Sequence, residues 1–365
     1  MKPVLIAVSA AAAVLLAACG GNTATSTPST GGPAGAPAPP SASLTGAGAT
    51  FPAPFYSAAF YAYNLKFNQV TVNYQSVGSG AGIQQLTKKT VDFGASDVPM
   101  SATELTAAGG ADNVVQIATT LGTESLAYNL QGVSSGQLKL TPDTIAGIFL
   151  GKIKKWNDAA LAADNGGVSL PNQAITVVHR SDGSGTTYQF TDYLAKVSSD
   201  WKSGPGVGKS VSWPVGIGAS GNTAVAQAVK STDNAIGYVE LAYVVQTHMQ
   251  QAYLKNSAGK YLQASIAGAT AAASKNTNVS PTNFSITNMD GDAAYPIASF
   301  SWIFLKKSIA DSAKGRALVY LFKWVVTDGQ SYGTPLDYAP LPAQVQTYAL
   351  DQLKTVSVAG TIVLK

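Results

Sequence analysis

The chain is poor in the residues that build covalent cross-links and metal sites. Its 365 residues include one cysteine, Cys19, and two histidines, His179 and His248. A disulfide within one chain needs two cysteines, and a zinc site built from so few thiolates and imidazoles would lack its usual ligands. We therefore expect no metal and no cofactor.

Charge is also scarce. Charged residues make up 12% of the chain, against a usual share of about a quarter. The 23 basic and 19 acidic residues are too few and too evenly balanced for a nucleic-acid-binding surface. Hydrophobic residues reach 46%, so the chain can bury a core despite 36 glycines and 18 prolines. This composition predicts a globular protein, long enough for two domains, that has no nucleic-acid partner.

The amino terminus has the pattern of a secretory leader. Lys2 precedes an apolar run over 4–16, which is too short to cross a membrane as a helix. The run ends in Leu16-Ala17-Ala18-Cys19, which resembles the bacterial lipobox, where the cysteine is acylated. We therefore predict a lipoprotein signal peptide over 1–18 and a lipidated Cys19. The alternative is an ordinary leader cut near Ala18, which would leave a free thiol.

A tether follows the cysteine. Residues 20–43 are Gly, Ala, Ser, Thr and Pro with one Asn, and they carry no charge and no large apolar side chain. Such a segment cannot contribute to a packed core, so 19–43 is predicted to be a disordered linker. No later segment is long and apolar enough to cross a membrane, so we expect membrane contact only through the lipid.

The remainder repeats one pattern of strand, Gly/Ser turn and helix three times. The first copy runs from Leu44 through a small-residue turn to a helix that begins at Pro52 and Pro54. The second joins a strand over 70–74, through the glycine-rich stretch 76–82, to a helix over 83–89. The third joins a strand over 175–178, through the turn 179–186, to a helix with Phe190, Leu194 and Val197 on one face. Strands that alternate with helices predict an α/β sheet.

Turns of this kind can bind an anion. Glycine lets backbone N–H groups approach a ligand closely, and the dipole of the following helix adds partial positive charge. The alternative is that the glycines and serines serve only as tight connections.

Two charged positions sharpen the expectation of an anion. Only two of the 23 basic residues are arginines, and one of them, Arg180, lies in such a turn, where its planar guanidinium can bind an oxyanion through two parallel bonds. Asp182 can hold that guanidinium in place, or form only a solvated ion pair. Asp97 follows a further short strand; because a carboxylate only accepts hydrogen bonds, it would favour a ligand that carries a proton. Asp97 alone could equally be a turn or cap residue.

Three enzymatic readings fail on spacing. The segment 204–210 ends like a phosphate-binding loop but has serine at 203, where the first glycine is required, and Gly46-Ala47-Gly48 lacks the third glycine of a dinucleotide-binding turn. Ser79 and Ser184 lack the Gly-x-Ser-x-Gly frame of a hydrolase, and a structural role at a strand end is favoured for His179.

Five short segments between Leu44 and the carboxyl end carry a resemblance to a known family, and they follow one another in the same order as in that family. They are LTGAGATFP (44–52), DFGASD (92–97), LGKIKKW (150–156), RSDGSGT (180–186) and AIGYVE (235–240). Together they resemble the substrate-binding lipoprotein of bacterial high-affinity phosphate ABC transporters. The resemblance implies an α/β fold of the type II periplasmic binding-protein class, in which two lobes, each a mixed sheet flanked by helices, hold phosphate in the cleft between them.

The resemblance also implies boundaries and ligands. One lobe would combine 44–125 with 285–365, and the other would span 126–284. Phosphate would be bound by Thr50, Phe51, Ser79, Asp97, Arg180, Ser184, Gly185 and Thr186, with Asp182 orienting Arg180. Two features depart from the family: His179 stands where a second arginine is often seen, and the segment 267–283 matches poorly.

The function implied is not enzymatic. We expect a monomer in the periplasm or on the outer face of the cell envelope that delivers inorganic phosphate to the permease and ATPase subunits of an ABC importer. One rival is a secreted phosphatase or other phosphoryl hydrolase that uses Ser79 or Ser184. Another is a surface adhesion or scaffold protein, which would leave the anion-type turns unexplained.

Overall fold

A computed structural model gives the fold of this chain and describes residues 38–364. The predicted signal peptide, Cys19 and most of the predicted tether therefore lie outside the described residues.

Strands in this range form one large sheet and two small ones. They are β1 (Ala42–Gly48), β2 (Val70–Ser76), β3 (Phe93–Ser96), β4 (Val114–Asn129), β5 (Lys139–Leu140), β6 (Thr176–Arg180), β7 (Ile217–Ala219), β8 (Ala235–Glu240), β9 (Gln250–Gln251), β10 (Tyr253–Lys255), β11 (Tyr261–Leu262), β12 (Ala298–Lys306), β13 (Ser308–Ile309), β14 (Ser357–Val358) and β15 (Thr361–Ile362).

Helices alternate with these strands through most of the chain. They are α1 (Ala53–Lys66), α2 (Ser79–Thr87), α3 (Ala102–Ala107), α4 (Pro142–Phe149), α5 (Ala159–Asp164), α6 (Gly185–Val197), α7 (Ser199–Ser203), α8 (Gly221–Ser231), α9 (Leu241–Gln246), α10 (Ile266–Ala273), α11 (Ser312–Val326) and α12 (Ala343–Leu353). The predicted α/β class is confirmed.

The large sheet has two halves that share strand β4. Its order is β2-β1-β3-β12-β4-β8-β6-β7, and β9 also pairs with β4. Residues 114–123 of β4 pair with β12, and residues 124–129 pair with β8. We call the strands on the β12 side the first half and those on the β8 side the second half. The chain therefore changes halves between Thr123 and Glu124.

Each half has its own hydrophobic core. The core of the first half lies between the sheet and α1, α2, α11 and α12, and contains Phe60, Phe93 and Phe322. The core of the second half contains Phe190 and Tyr238, whose rings stack at 4.5 Å. A smaller cluster lies beneath α8 and α9. Because the apolar surface is divided in this way, each half can stay rigid while polar loops meet between them.

Sequence patterns locate the first elements of the chain. Pro52 directly precedes α1, close to the predicted start, and Tyr56, Phe60 and Tyr63 of this helix are buried. Several boundaries differ. Strand β1 begins at Ala42 and pairs with β2 from there, so the end of the predicted disordered tether is ordered. Strand β2 extends to Ser76 rather than 74, and α2 spans Ser79–Thr87 rather than 83–89.

The early start of α2 comes from close packing. A Cβ on Gly82 would lie 2.5 Å from the carbonyl oxygen of Ala47 in β1, so only glycine lets this helix rest on the strand. The glycines between Ser79 and Gly82 therefore belong to a helix pressed against the sheet. Their predicted place in a turn was wrong.

Among residues 38–364, no helix has the length and apolar character that a membrane crossing requires.

Candidate functional site

The residues predicted to bind an anion lie at strand ends and helix starts, and all eight are buried. They are Thr50 and Phe51 after β1, Ser79 after β2, Asp97 after β3, Arg180 at the end of β6, and Ser184, Gly185 and Thr186 at the start of α6. In open α/β sheets, ligands bind outside the carboxyl ends of the strands. This edge of the sheet is therefore the candidate site.

The loop between β1 and α1 is held by tyrosines from distant segments. The hydroxyl of Tyr243 donates to the carbonyl oxygen of Thr50 at 2.5 Å, and that of Tyr338 donates to the carbonyl oxygen of Phe51 at 2.6 Å. In a trans peptide the N–H points opposite to the C=O. Fixing the Thr50 carbonyl therefore fixes the direction of the Phe51 amide.

Arg180 is clamped by Asp182. Its Nε and Nη2 donate to the two carboxylate oxygens at 2.7 and 2.5 Å, and its Nη1 donates to the hydroxyl of Thr186 at 3.3 Å. Burial would raise the pKa of Asp182, but the Arg180 hydrogen bonds outweigh it and lower that pKa, so the partner stays ionised. Because Asp182 uses one edge of the guanidinium, the edge toward Thr186 is the one that can face a ligand.

The turns of the two halves are hydrogen-bonded to each other. The amide of Gly80 donates to the carbonyl oxygen of Gly183 at 2.8 Å, and the amide of Gly185 donates to Oγ of Ser79 at 2.9 Å. A Cβ on Gly185 would lie 2.6 Å from the backbone nitrogen of Asp97. Such close approach requires glycine at position 185.

Asp97 is buried at the centre of this meeting. Its Oδ1 accepts a hydrogen bond of 2.6 Å from Ser301, and its carbonyl oxygen accepts one of 2.6 Å from the side chain of Gln189. Burial raises the pKa of Asp97 to about 7, although Ser301 and Arg180 lower it in part. The carboxyl group can therefore exist with or without its proton near neutral pH.

The sequence did not point to several residues that hold the site. Ser301 lies 204 positions from Asp97 and carries no local signal. Asn222 donates to Oγ1 of Thr50, at 2.8 Å from its side chain, and to Oγ1 of Thr186 at 3.2 Å, so it joins the loops of both halves. Asn222 was detectable, because the small-residue stretch 218–221 joins β7 to α8, and Asn222 is the second residue of that helix.

The serines proposed for a hydrolase have other partners. Oγ of Ser184 caps α6 by accepting the amide of Thr187, and Oγ of Ser79 accepts the amide of Gly185. His179 stacks on Trp213 at 4.7 Å, and its Nδ1 lies 3.1 Å from a backbone carbonyl oxygen. Within 38–364 no group of three or more His, Cys, Asp or Glu residues could hold a metal ion.

The fold and this buried site define a two-lobe binding protein of the periplasmic type. Residues 33–321 match the PBP superfamily domain. A phosphate-binding protein from Stenotrophomonas maltophilia has the same fold, with a TM-score of 0.65 at 20% identity over 85% of this chain and 93% of that one. A periplasmic phosphate-binding protein solved with phosphate, PfluDING, gives a TM-score of 0.66 at 21% identity over 84% and 92%.

Closer relatives are known from sequence. The phosphate-binding protein PstS of Xylella fastidiosa is 43% identical over 320 residues, 86% of each chain. That of Pasteurella multocida is 45% identical over 314 residues, 86% of this chain and 90% of the relative. The chain belongs to the PBP superfamily and, within it, to the PstS family of phosphate-binding proteins.

Proposed function

We propose that this protein binds inorganic phosphate between its two lobes and delivers it to the permease and ATPase subunits of an ABC-type importer. The observation that carries the proposal is the meeting of glycine-rich helix starts from both halves around one buried arginine and one buried aspartate. Two relatives whose names describe them as phosphate-binding proteins are more than 40% identical to the chain, which supports the binding part of the proposal. No specific observation favours the phosphatase alternative.

Roles follow from the chemistry of each group. Neutral donors supply the anion with hydrogen bonds, Arg180 supplies positive charge, Asp182 orients Arg180, and Asp97 accepts a hydrogen bond from a hydroxyl group of the ligand. The proposed donors besides Arg180 are Thr50, the amide of Phe51, Ser79, Ser184, Gly185 and Thr186. To serve as a donor, the amide of Gly185 exchanges Oγ of Ser79 for the anion. A hydrogen bond to a charged group contributes about 1.5–3 kcal/mol net, so several preorganised donors support micromolar or better affinity.

The lobes are proposed to be 44–125 with 285–365, and 126–284. The separate hydrophobic cores support this division, because the first core is drawn mainly from residues before 122 and after 285. Ala269 in α10 also joins the first core, so the second lobe contributes a helix to the packing of the first. The protein is proposed to act as a monomer.

The direct test is calorimetric titration with phosphate, arsenate and sulfate. We expect phosphate to bind, arsenate to compete because its shape and protonation are similar, and sulfate to fail. Heat absent from every phosphate titration would refute the proposal. Turnover of a chromogenic phosphate ester would instead support the hydrolase.

Substitution of Asp97 by asparagine should relax the exclusion of sulfate. Sulfate carries no proton at neutral pH, so it places an acceptor against the Asp97 carboxylate, whereas the asparagine amide can donate. At about pH 8.5, where Asp97 is ionised because its pKa is about 7, we expect the ratio of sulfate to phosphate affinity to rise at least about tenfold, since an unpaired buried charge costs more than about 1–3 kcal/mol. Calorimetry with both anions measures that ratio; an unchanged ratio means that Asp97 is not the filter.

The pH dependence of the parent protein provides the control. Because burial raises the pKa of Asp97 to about 7, its carboxyl group carries a proton below that pH and can donate to sulfate. The parent should therefore bind sulfate better at about pH 5.5 than at about pH 8.5, and Asp97→Asn should lack this contribution.

We also propose that Cys19 is lipidated and holds the protein at the outer face of the envelope. The observation behind this is the Leu16-Ala17-Ala18-Cys19 motif after an apolar leader. Mass spectrometry of the mature amino terminus should find a diacylglyceryl group on Cys19, and Cys19→Ser should release the protein from membranes. A mature chain with a free thiol at position 19 would contradict the anchor.

A further inference from the structure

Glu124 is a buried acid for which the proposed binding mechanism has no use. It is 0% exposed, and neither of its carboxylate oxygens has a hydrogen-bond partner within the described residues. It occupies the point in β4 where pairing passes from β12 to β8. An ionised carboxylate buried without a partner is strongly unfavourable, so burial of this kind favours the protonated form of the side chain.

A second buried acid lies directly opposite Glu124 on the neighbouring strand. Glu124 pairs with Glu240 in the antiparallel register of β4 and β8, which places their Cβ atoms about 4.5–5.5 Å apart on one face. Glu240 is also 0% exposed, and its Oε1 has no partner within the described residues, but its Oε2 accepts the amide of Ala242 at 3.0 Å. The hydroxyl of Tyr338 lies 3.0 Å from the same oxygen and gives its proton to the carbonyl oxygen of Phe51. Burial raises the pKa of Glu240 well above its ordinary value, and the Ala242 amide opposes the rise. Because a backbone amide stabilises an anion on Glu240 and no donor does so on Glu124, Glu124 binds a proton first.

Groups from both halves face this acid. Burial raises the pKa of Glu124 well above its ordinary value, the charge of Asp97 raises it further, Arg180 opposes the rise, and Glu240 adds to it. The tyrosine neighbours are Tyr238 in β8 and Tyr295, whose hydroxyl donates to the carbonyl oxygen of Glu124 at 3.0 Å.

We infer that Glu124 is a proton-binding site coupled to anion binding: it takes up one proton from solvent when the lobes close over the ligand, and returns it when they open. The inference rests on the proposed function. Two effects act in the same direction. Closure removes water from the carboxyl group, and the bound anion adds negative charge near it. By linkage, a proton on Glu124 then strengthens anion binding.

Glu124→Gln tests this inference, because glutamine keeps the size of the side chain but cannot ionise. The parent must take up a proton at any pH above the ordinary glutamate pKa, so its affinity should fall relative to the variant as pH rises. We expect the ratio of parent to variant phosphate Kd to grow by up to about tenfold per pH unit between about pH 6 and about pH 8.5. The titration of phosphate is common to both proteins and cancels in the ratio. Because Asp97 and Glu124 act on each other, the same pair is also compared in an Asp97→Asn background, which removes the titration of Asp97. A ratio that stays constant with pH overturns the inference.

Glu104→Gln is the matched control. Burial would raise the pKa of Glu104, but hydrogen bonds from Lys209 and Ser101 outweigh it and lower that pKa, so this acid stays ionised across the range. Its removal changes the ion pair with Lys209, and the resulting change in affinity should be the same at every pH.

Direct observation covers the case in which Glu124→Gln fails to fold. The chain has three glutamates, Glu104, Glu124 and Glu240, so protein labelled with carboxyl-¹³C glutamate gives three side-chain carboxyl signals. One signal should move to the protonated position on addition of phosphate at about pH 7.5. Three signals whose positions do not change when phosphate is added would overturn the inference.

A parent protein that binds no phosphate at any pH would refute the proposed function instead. In that case, the pH dependence of the unfolding free energy tests whether Glu124 binds a proton. Because the folded-state pKa of Glu124 is raised, its contribution to stability is complete below about pH 4.3 and declines as pH rises toward the folded-state pKa. The unfolding free energy of the parent should therefore fall relative to Glu124→Gln over that range; a constant difference excludes the proton site.

Discussion

Arg180→Lys is expected to weaken phosphate binding about a hundredfold. Arginine satisfies Asp182 through Nε and Nη2 while a third nitrogen reaches toward Thr186, and a single ammonium group cannot serve both sides. The loss of one or two charge-assisted bonds, at about 1.5–3 kcal/mol each, corresponds to this factor. Calorimetric titration of the variant with phosphate measures it.

The second arginine of the chain is the matched control. Arg316 in α11 is half-buried and lies over the ring of Tyr320 at 5.8 Å, within the first-half helices. Arg316→Lys makes the same chemical change away from the candidate site, and we expect the phosphate affinity to stay within about twofold of the parent. If Arg180→Lys also leaves the affinity unchanged, Arg180 does not bind the ligand.

Gly185→Ala is expected to reduce phosphate affinity by at least a factor of about one hundred. The added methyl group would lie 2.6 Å from both the backbone nitrogen and Cβ of Asp97, and backbone on the opposing half cannot move aside as a flexible side chain can. The halves must separate, which breaks the hydrogen bond from the Gly185 amide to Ser79 and moves Asp97 away from the ligand. The two halves then cannot come together around the ligand, and most of the free energy of phosphate binding is lost.

Stability distinguishes this effect from misfolding. Gly185 begins α6 at an ordinary backbone angle, and alanine favours a helix by up to about 1 kcal/mol over glycine. The variant should therefore unfold at a temperature no more than a few degrees below the parent while its affinity collapses. Gly166→Ala, at an exposed glycine with nothing within 4 Å of the added atom, should change neither property. Tight binding by Gly185→Ala would show that the halves tolerate separation here.

The predicted site depended on local patterns that the fold preserves. Strand, glycine-rich turn and helix start were readable near Thr50, Ser79 and Arg180, because each unit lies within a short stretch of chain. The same pattern recurs at 218–221, and Asn222, at the start of α8, donates a hydrogen bond to Thr50. The start of α2 was placed too late because glycine has low helix propensity, and the close contact of Gly82 with β1 overrides that preference.

By itself, the sequence determined the class of protein, the helix and strand order around the site and the residue types that can bind an oxyanion, since these depend on periodicity, turn chemistry and charge over a few residues. Tertiary structure alone decided which distant groups meet. Ser301 reaches Asp97 because β12 pairs with β3, and Glu124 faces Glu240 because β4 changes partners at that residue. Strand pairing places these neighbours together and buries Asp97 and Glu124, and this burial raises their pKa values. The paired strands are far apart in the chain, so no local sequence pattern encodes their pairing.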